Sequence, residues 1–139
     1  MAAVLWMDLI FDSQVLRHRG GDELPGPVLD SIAAYYRRAT TTSRPMSLLI
    51  AVVMVILLGA LAFQWFERPS WPLAVCTLLA AAPILLAGIH TVPAAKRLGN
   101  RTGSPAEQSR LARAICRDHL LCLAAISGFL AVWMAISAR

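Results

Sequence analysis

Three stretches of the chain carry no charge and are long enough to cross a bilayer. Met46 to Phe66 reads MSLLIAVVMVILLGALAFQWF, with Gln64 its one strongly polar residue. Its twenty-one residues, at about 1.5 Å each, give about 31 Å, the thickness of a hydrocarbon core. A second stretch runs from Trp71 to Val92 and a third from Leu120 to Ala138. Pro83 lies inside the second and predicts a kink there, because a proline removes one backbone donor and crowds the turn before it. The turn between the first two, Glu67-Arg68-Pro69-Ser70, is short enough to force an antiparallel hairpin. Pro72 suits the first turn of the helix that follows. Trp65, Trp71 and Trp133 lie towards the ends of these stretches, where an indole favours the headgroup zone.

The polar positions pattern the remainder. Residues 17–45 open on a turn rich in Gly20, Gly21, Pro25, Gly26 and Pro27. Val28, Ile32, Tyr35, Tyr36 and Ala39 then recur at helical spacing, which predicts an amphipathic helix lying on the membrane. Arg44-Pro45 ends it before the first span. Residues 94–119 contain Ser104-Pro105-Ala106-Glu107, a helix start: serine caps, proline takes the first helical position and glutamate closes a capping box. From there one helix of about 34 residues, about 51 Å long, runs through the last span. Ala124 with Gly128 and Ala131 with Ala135 give it small-residue pairs for close helix packing. The segment before residue 17, rich in apolar residues but for Asp8 and Asp12, is too short to cross a bilayer alone. Two readings stay open for it: a half-length helix, or the end of a first transmembrane helix that begins upstream. Entry into the bundle is favoured, since the two carboxylates then have protein neighbours. Asp8 also interrupts the apolar run that a secretory signal requires.

The expected fold is therefore an all-α integral membrane helical bundle in one domain, with three full transmembrane helices and a short N-terminal helix that is fourth if it enters the bundle. Composition agrees. Of 139 residues, 58% are hydrophobic and 15% charged, and mean hydropathy is +0.61, against about 45–50% and about 25% in soluble domains. Disordered, collagen-like and nucleic-acid-binding chains are excluded, despite a net charge of +5. The charge is grouped instead. Residues 17–45 and 94–119 hold eleven of the thirteen Lys and Arg, and the antiparallel spans put both segments on one side. The positive-inside rule makes that side cytoplasmic and leaves the C-terminus outside, as for a multi-pass protein of the cell (inner) membrane. The expected partner is the lipid bilayer, with a homo-oligomer or a membrane-protein partner left open, and no nucleic acid.

Chemistry is harder to read. There is no HExxH, GxSxG, P-loop or dinucleotide fingerprint, and neither a cofactor nor a metal site is expected. Cys76, Cys116 and Cys122 are too scattered for a disulfide framework. One constellation stands out. Asp8 and Asp12 are four apart and share a helix face. His90 lies near the cytoplasmic end of the second span, and Asp118 and His119 lie where the last span enters. Tyr35 and Tyr36 lie on the helix that covers this mouth. Asp8, Asp12, His90 and His119 are the candidate catalytic groups; Tyr35, Tyr36, Arg113 and Arg117 are candidate binding groups. The favoured reading of these groups is structural, with Asp8 or Asp12 paired to Arg113, Arg117 or His119 to fix helix register, ahead of a polar pocket for a small molecule or a proton relay. Asp8, lying deeper in the membrane, is expected to matter more than Asp12.

The step His90-Thr91-Val92-Pro93 followed by Lys96-Arg97-Leu98, and the run Ser109-Arg110-Leu111-Ala112-Arg113 leading to Arg117-Asp118-His119, resemble the anthrone-oxygenase-like family of small four-helix membrane proteins over residues 46–139. The chain departs from that pattern in carrying His90 where asparagine is common, and in the WMDLIFD segment of its first helix. The resemblance implies a four-helix membrane bundle. For function, the favoured expectation is a structural or accessory membrane component. The alternatives are a cofactor-independent oxygenase or other small-ligand enzyme of that family's type, and a small transport or proton-relay component. An enzyme requires a pocket that reaches the Asp/His groups. A structural protein requires those groups paired and no cavity. A transporter requires a polar path, which Met46–Phe66 does little to line.

Overall fold

The computed structural model describes residues 2–18, 21, 23–41 and 44–138. Gly20 of the glycine- and proline-rich turn, and Arg19 of the first basic segment, lie outside the described residues. The regular structure is helical: α1 (Ala2–Leu16), α2 (Gly26–Thr41), α3 (Arg44–Glu67), α4 (Trp71–Leu86), a π-helical turn (Ala87–Thr91), α5 (Val92–Gly99) and α6 (Pro105–Ser137). Three stretches are long and apolar enough to cross a membrane: Leu48–Glu67, Trp71–Gly99 and Pro105–Ser137. At most 22% of the most apolar window of any of them is buried inside the protein. Val55, Ile56, Phe66, Leu78 and Ile89 are among the large side chains facing outward. In water each fully exposed side chain of this kind forfeits about 1.5–3 kcal/mol of burial, whereas a hydrocarbon surround solvates it.

The hairpin forms as expected. Arg68 N–H closes on Gln64 O, and Trp65 Nε1 donates to Thr77 Oγ1 across the pair at 3.0 Å. The second span differs from expectation. It does not end at Val92; it passes through Pro83, widens into the π-helical turn, and continues past Pro93 to Gly99. The wide turn directly precedes Pro93, whose ring crowds an ordinary α-turn before it and which lacks the donor that turn would use. The distortion thus begins one turn beyond Pro83, at Ala87, and runs through His90 and Thr91.

The last helix is 33 residues long, close to expectation. Ser104 Oγ accepts from Glu107 N–H at 3.3 Å, and Pro105 occupies the first turn. Glu107 does not close the capping box. Its carboxylate takes Arg97 Nη2 instead, since a guanidinium bond is stronger than one to a neutral amide.

Two apolar clusters hold the bundle. Leu61, Leu73, Cys76 and Ala80 pack with Phe129 and Trp133 at the hairpin end. Leu29, Ile32 and Tyr36 of α2 pack with Ala94, Ala95 and Leu98 of α5, Ile115 of α6 and Val15 of α1 at the other. α2 is therefore amphipathic as expected, and it covers the bundle's own helices. Gly99 permits the closest approach: a Cβ there would lie 2.9 Å from Arg37 N. Arg101 pairs with Asp30 across the same contact. Both basic segments consequently lie at one end of the bundle. α1, with fifteen residues, is about 22 Å long and packs along α6.

Candidate functional site

The site forms where α1, α2 and α6 meet. Asp8 and Asp12 project from one face of α1 because four residues make about one turn. Tyr36 Oη donates to Asp12 Oδ1 at 2.7 Å, and Tyr35 Oη donates to Asp8 Oδ1 at 2.5 Å. Neighbours on α2 thus serve carboxylates one turn apart on α1. Phe11 stacks on the Tyr35 ring with centroids 4.2 Å apart, which fixes the phenol's direction. From α6, His119 Nδ1 lies 2.6 Å from Asp12 Oδ2, and its Nε2 lies 4.0 Å from Asp8 Oδ2. Asp12 is fully buried and His119 nearly so.

With a carboxylate at Asp12, which only accepts, the contact calls for the Nδ1–H tautomer of His119 and turns Nε2 towards Asp8. The phenols are held in their donor form. Burial pushes the Tyr36 hydroxyl far above its ordinary range, and the Asp12 charge adds to it. Burial and the Asp8 bond do the same for Tyr35.

A second pair lies nearby. His90 Nδ1 is 2.5 Å from Asp118 Oδ2, and Thr91 Oγ1 donates to the same oxygen at 3.1 Å. Asp118 is buried, whereas the His90 side chain is 46% exposed. The π-helical turn sets the consecutive residues His90 and Thr91 against one carboxylate.

Between α1, α3, α4 and α6 lies a cavity of about 480 Å³. Ile50, Met54, Leu58 and Ile84 are among its apolar walls, and Asp8, Thr91 and His119 give it one polar end. The Asp12–His119 pair reaches this space through His119, whereas the His90–Asp118 pair lies behind Thr91, whose hydroxyl bonds Asp118. Apolar walls with a few convergent polar groups are the usual form of a small-molecule site.

The sequence-derived candidates divide accordingly. Asp8, Asp12, His119, Tyr35 and Tyr36 come together, and His90 joins Asp118 beside them. Arg113 and Arg117 stand apart. Arg113 Nη2 donates to Gly21 O, and both arginines border a separate crevice between α1 and α6. Of the three partners the structural reading offered for Asp8 or Asp12, His119 is the one found beside them. The reason is angular: residues two apart on a helix point about 200° apart, so His119 and Arg117 point in different directions. Asp12 is the more buried aspartate, because α2 and α6 close over it while Asp8 opens on the cavity. Thr91 and Cys122, which also lines the cavity, were missed; Thr91 beside His90 was the available signal. The three cysteines are buried thiols. Among the described residues no three His, Cys, Asp or Glu side chains are placed to hold a metal ion. Comparison with family models, with curated proteins and with solved structures found no match.

Proposed function

We propose that this chain is a small integral membrane protein that takes a membrane-soluble, amphipathic molecule into its cavity and acts on the polar end by general acid–base chemistry. The observation that carries this reading is the cavity of about 480 Å³ with Asp8, Thr91 and His119 at one end and apolar walls elsewhere. Nε2 of His119 accepts a proton from a hydroxyl or an acidic C–H of the bound molecule. Asp12 holds the ring in the required tautomer and stabilises the imidazolium that forms. Tyr36 anchors Asp12. Asp8, with Tyr35 behind it, sits where it stabilises the same cation.

The reading is compatible with the resemblance of residues 46–139 to the anthrone-oxygenase-like family, which implies a four-helix membrane bundle and, for a few relatives, oxygenation of polyketide anthrones. It competes with a purely structural role, which accounts for the paired carboxylates but not for a cavity that opens on Asp8 and His119. The basic end, with α2, α5 and the start of α6, faces the cytoplasm in this proposal, and the C-terminus lies outside, by the distribution of Lys and Arg.

The test is direct. Wild-type chain and an Ala51→Phe variant, which narrows the cavity from a wall position exposed beside it, are purified from membranes in detergent. Their solvent extracts are compared by mass spectrometry. A lipophilic molecule enriched with wild type and depleted with the variant supports the proposal. Identical extracts, with unchanged helicity in both proteins, contradict it.

A further inference from the structure

The second crevice, outside the site just described, lies at the basic end between the close of α1 and the middle of α6. Its volume is about 240 Å³, and it is lined by Val15, Leu16, Arg113, Cys116, Arg117 and Leu120. Two properties coincide there. Leu16 and Leu120 are 37% and 43% exposed, so the crevice offers apolar surface to its surroundings. Arg113 and Arg117 lie one turn apart on α6, about 6 Å along the axis, and both line the same crevice. Arg113 is held in place by its bond to Gly21 O. None of the six lining residues is acidic. Leu120 begins the uncharged stretch of α6, so the arginines sit at the level where hydrocarbon gives way to headgroups.

We propose that this crevice is a binding site for one anionic phospholipid, with the phosphate between Arg113 and Arg117 and the upper acyl chain against Leu16 and Leu120. Charge complementarity selects the occupant: guanidinium groups recognise phosphate through paired N–H donors, and the apolar floor selects a phosphate that carries a hydrocarbon tail. A basic pocket between helices at the cytoplasmic level is a recurrent form of such a site. The lipid then bridges α1 to α6 and steadies the helix that carries Asp8 and Asp12.

The experiment is native mass spectrometry of the full chain in neutral detergent, titrated separately with phosphatidylglycerol, phosphatidylcholine and inorganic phosphate. One phosphatidylglycerol is expected to bind well above the phosphatidylcholine level. Arg117→Gln is expected to weaken it about fivefold, the effect of one basic residue at a membrane surface. Arg117→Lys retains part of the binding, and Arg38→Gln, an equal charge loss on α2, leaves it unchanged. Leu120→Ser weakens the lipid without changing phosphate. Equal loss in Arg117→Gln and Arg38→Gln overturns the proposal in favour of general surface charge. Equal binding of the two lipids, or phosphate binding as tightly as the lipid, also overturns it, as does a chain dimer that excludes the lipid. Circular dichroism of each variant establishes that its helices are intact.

Discussion

Asp12→Ala removes the residue on which the site's geometry converges. Asp12 is fully buried and accepts two hydrogen bonds, from Tyr36 Oη at 2.7 Å and from His119 Nδ1 at 2.6 Å. Bonds to an ionised partner contribute about 1.5–3 kcal/mol each, so their loss costs about 3–6 kcal/mol. Alanine's better helix propensity returns about 0.5 kcal/mol. The net expectation is about 3–5 kcal/mol, in line with breaking a buried ion pair by removing one partner. Asp8→Ala loses the Tyr35 bond at a position open to the cavity, where about 1–2 kcal/mol is expected. Unfolding of the purified chain in mixed micelles of rising dodecyl sulfate content, followed by circular dichroism, separates the two. Asp12→Ala should unfold at clearly lower dodecyl sulfate than Asp8→Ala. Equal midpoints, or a more harmful Asp8→Ala, would refute the arrangement, because they would mean that Asp12 does not join α1 to α2 and α6.

Three further outcomes are expected. Gly99→Ala should destabilise the chain by about 1–3 kcal/mol in the same assay, as overpacking does, because its Cβ meets the Arg37 backbone at 2.9 Å rather than a movable side chain; an unchanged midpoint would contradict the α2–α5 contact. Ser104→Ala should cost about 0.5–2 kcal/mol through loss of the α6 cap, read as a lower unfolding midpoint. The chain's two tyrosines are Tyr35 and Tyr36, and both phenols are raised well above their ordinary value of 10.0. Absorbance at 295 nm should therefore show no tyrosinate near pH 10 until the protein unfolds. The sign follows from linkage: the folded state keeps protons that the unfolded state loses, so this contribution is fully present below pH 10 and is lost as pH rises above it. An ordinary titration midpoint near 10 in the folded protein would contradict the buried phenol–carboxylate bonds.

Much of this was legible in the residues, for identifiable reasons. Span length and charge grouping are one-dimensional properties, so α3, α6 and the hairpin follow directly from uncharged runs and turn residues. The topology also implied that Asp8, Asp12, Tyr35, Tyr36 and His119 share one end. Hydropathy could not reveal which partner each would find, because that depends on helix rotation. Arg117 and His119 are two residues apart and point in different directions, and sequence spacing alone did not say which one met Asp12. The π-helical turn was hidden for a similar reason: Pro83 announced a distortion, but its location was set by Pro93 and by the packing of Thr91 on Asp118. The cavity was not readable at all, since it arises from how four helices fail to meet.

The most direct test of the account is the location of the proton on the His119 ring. Nitrogen-15 NMR of histidine-labelled chain in lipid nanodiscs, with the His119 signals assigned through His119→Gln, reports each ring nitrogen separately. The account predicts that Nδ1 carries the hydrogen bonded to Asp12 while Nε2 gains and loses its own with pH, and that Asp12→Asn shifts the neutral ring to the Nε2–H form. A neutral wild-type ring with hydrogen on Nε2 and a bare Nδ1 would contradict it.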